Sequence, residues 1–285
     1  MSTQPALLEM RSVTKMFGGG GLRRTRGTLA LDEFSLSLPP DEPSIVAIAG
    51  ESGSGKTTAA QLVLGLLTTT TGEIVYRGRP TASMSRSERT AFRREVQAIL
   101  QDPYEAYNPF YKVEHVFNTV VRSFGLAHSV AEARRLIEQA LEFVGLRPAE
   151  TLGRYPHQLS GGQRQRIMIA RAFLLKPRII VADEPVSKVD ASIRSMILEI
   201  MPRLKQVVGI SFLYITHDLS TAYQVSDDLI ILHRGRVVER GKTQEVIDRP
   251  QHAYTKLLMN SIPVPDPDVR WQGRLDLLED IAAGT

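Results

Sequence analysis

One stretch constrains this chain more than any other. Ile45-Val46-Ala47-Ile48-Ala49 runs straight into Gly50-Glu51-Ser52-Gly53-Ser54-Gly55-Lys56-Thr57. The first five residues are apolar and β-rich, the pattern of a strand covered on both faces. The next eight fit the GxxxxGK[ST] phosphate loop, and Thr58-Ala59-Ala60-Gln61-Leu62 continues as a helix. Glycines let backbone N–H groups curl around phosphate oxygens. Lys56 neutralises β- and γ-phosphate charge, Thr57 offers its hydroxyl to Mg²⁺, and Thr58 adds a phosphate contact. Strand, loop and helix in this order dictate an α/β sheet with its ligand past the strand's carboxyl end. A chance glycine turn is the alternative, and the flanking strand and helix speak against it.

Two more apolar strands end in polar residues. Ile179-Ile180-Val181-Ala182 leads into Asp183-Glu184. There Asp183 holds Mg²⁺ and Glu184 polarises the attacking water, unless the pair simply caps a helix before Pro185. Residues 212–216 lead into His217. Between these lies Leu159-Ser160-Gly161-Gly162-Gln163, followed by a helical pattern over 164–175 with Ile167, Ala170 and Leu174 on one stripe. Ser160, Gly161 and Gly162 then sit at the positive end of a helix, with N–H groups for an anion. The chain already has one phosphate loop, so a second anion site suggests a ligand shared with another molecule. An ordinary glycine turn and helix cap is the plainer reading.

With these motifs in this order, residues 8–250 resemble the nucleotide-binding subunits of ATP-binding-cassette (ABC) transporters. The resemblance implies a P-loop NTPase α/β core: a mostly parallel sheet flanked by helices, an antiparallel β portion, and an inserted helical subdomain at about 88–158. Residues 1–250 then form the ATPase domain and 251–285 a C-terminal extension. The resemblance also assigns roles. Gln101, in Leu100-Gln101-Asp102-Pro103, reaches Mg²⁺ and the attacking water and senses a membrane subunit. His217 contacts the γ-phosphate. Phe17 stacks on adenine, or is a core Phe at a strand end. The implied catalytic set is Glu184, His217, Gln101 and Lys56, and the implied metal set is Thr57, Gln101 and Asp183. ATP is held by Phe17, the loop 50–58, Asp190 and, from a second cassette docked head to tail, Ser160, Gly161, Gly162 and Gln163. Ser187-Lys188-Val189-Asp190 keeps the aspartate of the usual Ser-Ala-Leu-Asp but places a cation at the expected dimer interface. Two such lysines near a two-fold axis would repel, which favours a heterodimer, unless Lys188 simply points to solvent.

The remaining sequence fits that frame. Residues 129–144 have helical spacing, with Ala133, Ile137, Ala140, Leu141 and Val144 on one side. Gly18 to Gly21 with Arg23, Arg24 and Arg26 read as a basic loop, and Ile262-Pro263-Val264-Pro265-Asp266-Pro267 ends regular structure. There are no cysteines, which excludes disulfides and Cys-ligated metal. The N-terminus lacks a signal-peptide pattern. No apolar run approaches the ~18 residues that span a bilayer, so other chains must do any spanning.

Three segments resemble the oligopeptide/dipeptide/nickel importer branch: Gln101-Asp102-Pro103-Tyr104 with Asn108-Pro109, Tyr155-Pro156-His157-Gln158, and Arg249-Pro250-Gln251-His252-Ala253-Tyr254-Thr255-Lys256-Leu257-Leu258. The branch's C-terminal cysteine cluster is missing. The expected function is ATP hydrolysis that drives import of a small solute such as a peptide or oligosaccharide. The expected partners are two permease subunits, a second cassette and an extracytoplasmic binding protein, at the cytoplasmic face of the inner membrane. Residues 101–117 are the expected contact with a permease helix, where Tyr104, Tyr107, Phe110 and Tyr111 offer aromatic surface, unless they pack in the core or within the loop. A soluble cassette acting on nucleic acid or ribosomes is the rival; the mild net charge of +4 forms no groove-like stripe for it.

Overall fold

The structure, a computed structural model, describes residues 4–18, 27–101 and 107–261. The basic loop expected from Gly18 to Gly21 with its arginines lies mostly outside these residues, as do Tyr104 and the proline-rich tail from Ile262. In chain order the elements are β1 (Leu8–Phe17), β2 (Thr28–Leu38), β3 (Ile45–Ala49), α1 (Lys56–Val63), β4 (Thr71–Tyr76), β5 (Arg79–Pro80), α2 (Arg86–Glu95) and β6 (Val96–Ile99). Next come α3 (Glu114–Phe124), α4 (Val130–Phe143), α5 (Pro148–Thr151), α6 (Gly161–Leu174), β7 (Ile179–Asp183), α7 (Ala191–Arg203) and β8 (Ser211–Thr216). The last described elements are α8 (Leu219–Val225), β9 (Asp228–His233), β10 (Arg236–Lys242), α9 (Thr243–Asp248) and α10 (Ala253–Asn260).

The central sheet has the order β10-β9-β3-β8-β7-β6. Its strands from β9 to β6 run parallel, and β10 adds an antiparallel edge. A strand's side chains alternate between its two faces. Ile45, Ala47 and Ala49 of β3 therefore enter one core, with Ile180 and Ala182 of β7 and Phe212 and Tyr214 of β8. Val46 and Ile48 enter the other, with Ile179, Val181, Leu213 and Ile215. The unbroken apolar runs follow from this: both faces are dry, so no position is left for a polar residue. Each fully buried Ile or Leu contributes roughly 1.5–3 kcal/mol.

The second core is closed by a four-stranded antiparallel sheet of order β2-β1-β4-β5, with Leu8 paired to Leu38 and to Tyr76. Helices α3, α4 and α6 pack in the first core through Phe117, Val121, Ile137, Ala140, Leu141 and Ile167. Ser129 starts α4 by accepting from the Glu132 N–H at 3.1 Å, a cap worth about 1 kcal/mol.

The stretch 88–158 is less uniform than its helical reading. It contains β6, whose Val96 and Ile99 pair in parallel with Ile179 and Ala182. Residues 88–95 complete α2, residues 96–99 join the central sheet as β6, and the helices α3, α4 and α5 follow from Glu114 among the described residues. Val96-Gln97-Ala98-Ile99 is too short and too mixed to announce a strand; its partner β7 provides the reason for it.

Candidate functional site

The phosphate loop is shaped by its neighbours. A Cβ on Gly50 would lie 2.1 Å from the Leu232 carbonyl oxygen, and one on Gly55 would lie 2.3 Å from that of Ala30. Both residues have positive φ, 151° and 108°. Only glycine fits there, because β9 and β2 press on the loop. Gly53, at φ 81°, is different: a Cβ there would meet nothing within 4 Å. Its surroundings are open space of the kind a phosphate needs. Lys56 is buried, and its ammonium donates to the Gly50 and Glu51 carbonyls, both at 2.7 Å. Burial pulls its pKa below the ordinary lysine value, against the carboxylates of Glu184, Asp183 and Glu51.

Opposite the loop, β7 delivers two carboxylates. Burial pushes the Asp183 carboxyl above the usual range, and the like charge of Glu184 adds to this; a hydrogen bond with Thr57 and the nearby Lys56 pull the other way. Glu184 has a left-handed backbone, φ 45°, and its N–H donates to the Ile215 carbonyl at 2.9 Å. Non-glycine residues pay for that conformation, and such strain gathers at functional sites. Here it accompanies a carboxylate held from both sides. Gln101 Nε2 donates to Oε2 at 2.8 Å, and His217 Nδ1 lies 2.9 Å from Oε1.

Of these groups Gln101, Glu184 and His217 line one cleft of about 580 Å³, while Asp183 does not line it. Ser52, Gly53, Gly55, Lys56, Thr57 and Thr58 form one wall, and Gln101, Glu184 and His217 form the other. The remaining loop residues, Gly50, Glu51 and Ser54, do not line the cleft. Ala30 of β2 also lines the cleft. Nothing in the sequence marked it, since an alanine carries no chemistry to read.

A magnesium ion suits the donors present. Thr57 hydroxyl, Asp183 carboxylate and the Gln101 amide are hard oxygen ligands. Among the described residues no group of three or more His, Cys, Asp or Glu could cage a metal alone. One carboxylate with the rest supplied by phosphate and water is the usual arrangement for Mg²⁺.

Other expected residues lie elsewhere. Phe17 ends β1, 42% exposed, with the Lys15 ammonium 5.1 Å over its ring, and it does not line the cleft. Ser160 and Gln163 form a reciprocal cap at the start of α6: Ser160 Oγ accepts from the Gln163 N–H at 3.2 Å, and Gln163 Oε1 accepts from the Ser160 N–H at 2.9 Å. The N–H groups of Gly161 and Gly162 are outside that exchange. This turn does not line the cleft either. Asp190 immediately precedes α7, and its carbonyl accepts from the Arg194 N–H at 2.8 Å. Its neighbour Lys188 is exposed.

The turn at 159–163 is braced from within. The buried Arg164 guanidinium donates twice to the Leu159 carbonyl, at 3.0 and 2.7 Å. A Cβ on Gly162 would stand 2.2 Å from Ile193 Cγ2 of α7. Gly162→Ala is therefore expected to overpack this contact by about 1–3 kcal/mol, lowering Tm by several degrees in a thermal melt. Adding Ile193→Ala should recover part of the loss, as coupled sites do; independent, additive losses would show that the two positions do not press on each other.

Tyr107 corrects an expectation. It is 7% exposed, and its hydroxyl donates to the Arg164 carbonyl at 2.9 Å, so it belongs to the core and not to an aromatic docking surface. Phe110 is 86% exposed, and Tyr111 stacks on His115 at 4.2 Å. Sequence alone could not separate a buried aromatic from an exposed one in a stretch without clear periodicity.

The chain belongs to the ABC transporter family. The ABC transporter family matches residues 31–187, and the oligopeptide/dipeptide transporter C-terminal region matches residues 238–284. The glutathione import ATP-binding protein GsiA of Salmonella paratyphi A is 39% identical over 98% of this chain and 44% of its own length. The oligopeptide transport ATP-binding protein OppF of Lactococcus lactis subsp. lactis is 37% identical over 90% of this chain and 79% of its own. The chain thus spans under half the length of the glutathione-import relative. A dimeric post-hydrolysis state of the ATP-binding cassette MJ0796 bound to ADP and Pi superposes with a TM-score of 0.71 at 28% identity, over 83% of this chain and 98% of that one. The fold is that of an ABC ATPase cassette. No described helix is long and apolar enough to cross a membrane.

Proposed function

We propose that this chain is the ATP-hydrolysing subunit of an ABC importer for a small solute. The observation that carries the reading is the Glu184 carboxylate, clamped between Gln101 and His217 across the cleft from the phosphate loop. Backbone N–H groups of the loop 50–58 receive the phosphates. Lys56 turns from the Gly50 and Glu51 carbonyls to the β- and γ-phosphates. Glu184 polarises a water for attack on the γ-phosphorus, as the bond to the β-phosphate oxygen breaks and ADP leaves. His217 orients Glu184 and contacts the γ-phosphate. Thr57, Asp183 and Gln101 would hold Mg²⁺, which when bound neutralises charge between the phosphates. Ser160 to Gln163 and Asp190 lie outside the cleft, which supports completion of the site by a second cassette. Phe17, exposed at the end of β1, packs on adenine.

Residues 1–250 act as the ATPase domain, with the helical subdomain inside 88–158, and 251–285 as an extension. The match at 238–284 supports the peptide-type branch. The names of the relatives, glutathione and oligopeptide importers, support peptide-like cargo. The partners are two permease subunits, a second cassette and an extracytoplasmic binding protein, with this chain at the cytoplasmic face of the inner membrane. Of the expected aromatic surface, Phe110 and Tyr111 remain for a permease helix. Purification from solubilised membranes should recover two multi-span proteins and another cassette. In vesicles rebuilt from that complex, Phe110→Ala with Tyr111→Ala should cut ATP-driven uptake by about tenfold or more, the loss of one interface hot spot, and spare basal ATPase. Recovery only with ribosomes or nucleic acid would overturn the importer reading.

A further inference from the structure

The C-terminal helix reaches the nucleotide loop. α10 lies outside the segment matched as ABC transporter, 31–187, and inside the one matched as the oligopeptide/dipeptide C-terminal region, 238–284. Yet the Tyr254 hydroxyl accepts a hydrogen bond from the backbone N–H of Glu51, the second residue of the phosphate loop, at 2.9 Å. The two residues are far apart in sequence, so nothing local brings them together.

The contact is built. Tyr254 is 6% exposed. Its ring packs on His233, with centroids 3.9 Å apart and planes tilted by 37°. His233 ends β9, whose preceding residue, Leu232, presses on Gly50. His233 Nδ1 also stands 3.2 Å from Glu51 Oε1 without making a hydrogen bond to it, so the Tyr254 hydroxyl is the group that holds this loop residue. The start of α10 is fixed in turn. The Glu239 carboxylate of β10 accepts from the N–H groups of Gln251 and His252, at 2.8 and 3.0 Å. His252 Nδ1 accepts from the Tyr254 N–H at 3.1 Å. Burial pushes the Tyr254 phenol above its ordinary value, against the hydrogen bond from Glu51, so the hydroxyl stays neutral.

We infer that Tyr254 is a positioning residue for nucleotide binding: it holds the first turn of the phosphate loop through the Glu51 N–H and thereby makes the C-terminal extension part of the nucleotide site. The inference rests on the ATP-binding reading above. Its logic is one of preorganisation. The loop receives phosphates through backbone N–H groups, so their directions are set by whatever fixes the loop's two ends. The far end is fixed by α1, and the near end by Gly50 against Leu232 and by Glu51 against Tyr254. Without the hydroxyl, a part-buried N–H loses its acceptor and the near end of the loop is less firmly held.

Tyr254→Phe in the purified transporter complex tests this. The ring and its packing on His233 are kept, and only the oxygen goes. The KM for ATP and the Kd for ADP should rise about three- to tenfold, the cost of one part-buried hydrogen bond. The kcat at saturating ATP should stay within about twofold, since Tyr254 touches no reacting atom. Equal KM and Kd in wild type and Tyr254→Phe overturn the inference, and so does a lowered Tm or kcat with affinity unchanged, the signature of a merely structural tyrosine. Wild-type complex that binds no ATP or ADP overturns the nucleotide reading itself, and this inference with it.

Discussion

Glu184→Gln leaves ATP binding intact and lowers steady-state ATPase turnover by about two to four orders of magnitude, the range assigned to a positioned general base. The substitution is nearly isosteric. The amide still fits between Gln101 and His217, and one oxygen can still accept. What is lost is the charge that polarises water, so the fall should appear in kcat, with KM for ATP little changed. The left-handed backbone at Glu184 sharpens the expectation. Strain of this kind persists only where the surroundings over-determine it, and here the Ile215 carbonyl and the two side-chain partners do so. Turnover within about threefold of wild type would remove Glu184 from the chemistry and favour a non-hydrolysing regulatory cassette.

The same variant reads out assembly. With hydrolysis slowed, ATP should stay bound and hold cassettes closed upon each other. If the segment 187–190 meets its counterpart across a two-fold axis, as we propose, sedimentation of the ATP-loaded variant alone is expected to show a monomer, because Lys188 would face a second copy of itself. Adding the second cassette from the native complex should produce the closed dimer. A tight homodimer of the isolated variant would sink the preference for a different partner.

What the sequence disclosed, and what it withheld, divides along a physical line. Local chemistry was legible: a glycine loop after a strand, an Asp-Glu pair after a strand, a histidine after a strand. In each case the strand is buried on both faces, so its apolar run is long and its end is sharp. Elements defined by distant partners were not. β6 exists because β7 lies beside it, and Tyr107 is buried because Arg164 offers its carbonyl. Tyr254 was read only as part of a branch-like C-terminal segment, because its partner Glu51 stands at the other end of the chain. The strain at Glu184 had no sequence signal at all, since glutamate is not a residue that announces positive φ.

Two alanine substitutions in one loop should fail in different ways. Gly53→Ala is expected to weaken ATP binding by about a hundredfold or more, while the protein melts within a few degrees of wild type. Gly55→Ala should lose both binding and several degrees of Tm. The difference lies in what each Cβ meets. At Gly55 it meets the Ala30 carbonyl oxygen at 2.3 Å, with Leu31 Cδ2 at 3.1 Å, so folding itself must yield: β2 moves or the loop does. At Gly53 it meets nothing within 4 Å in the protein alone, so folding pays only for a left-handed alanine, roughly 1–2 kcal/mol. The room it takes is the room the phosphates need. Losing two charge-assisted N–H bonds costs about 3–6 kcal/mol, a factor of a hundred or more in Kd. The check is a nucleotide titration beside a thermal melt for each variant. If Gly53→Ala binds ATP as wild type does, the open space at Gly53 is not where phosphate sits, and the loop's assignment fails at its centre. If Gly53→Ala instead melts as early as Gly55→Ala, the glycines serve folding alone. Separation of the two effects is what a loop built both to pack and to bind requires.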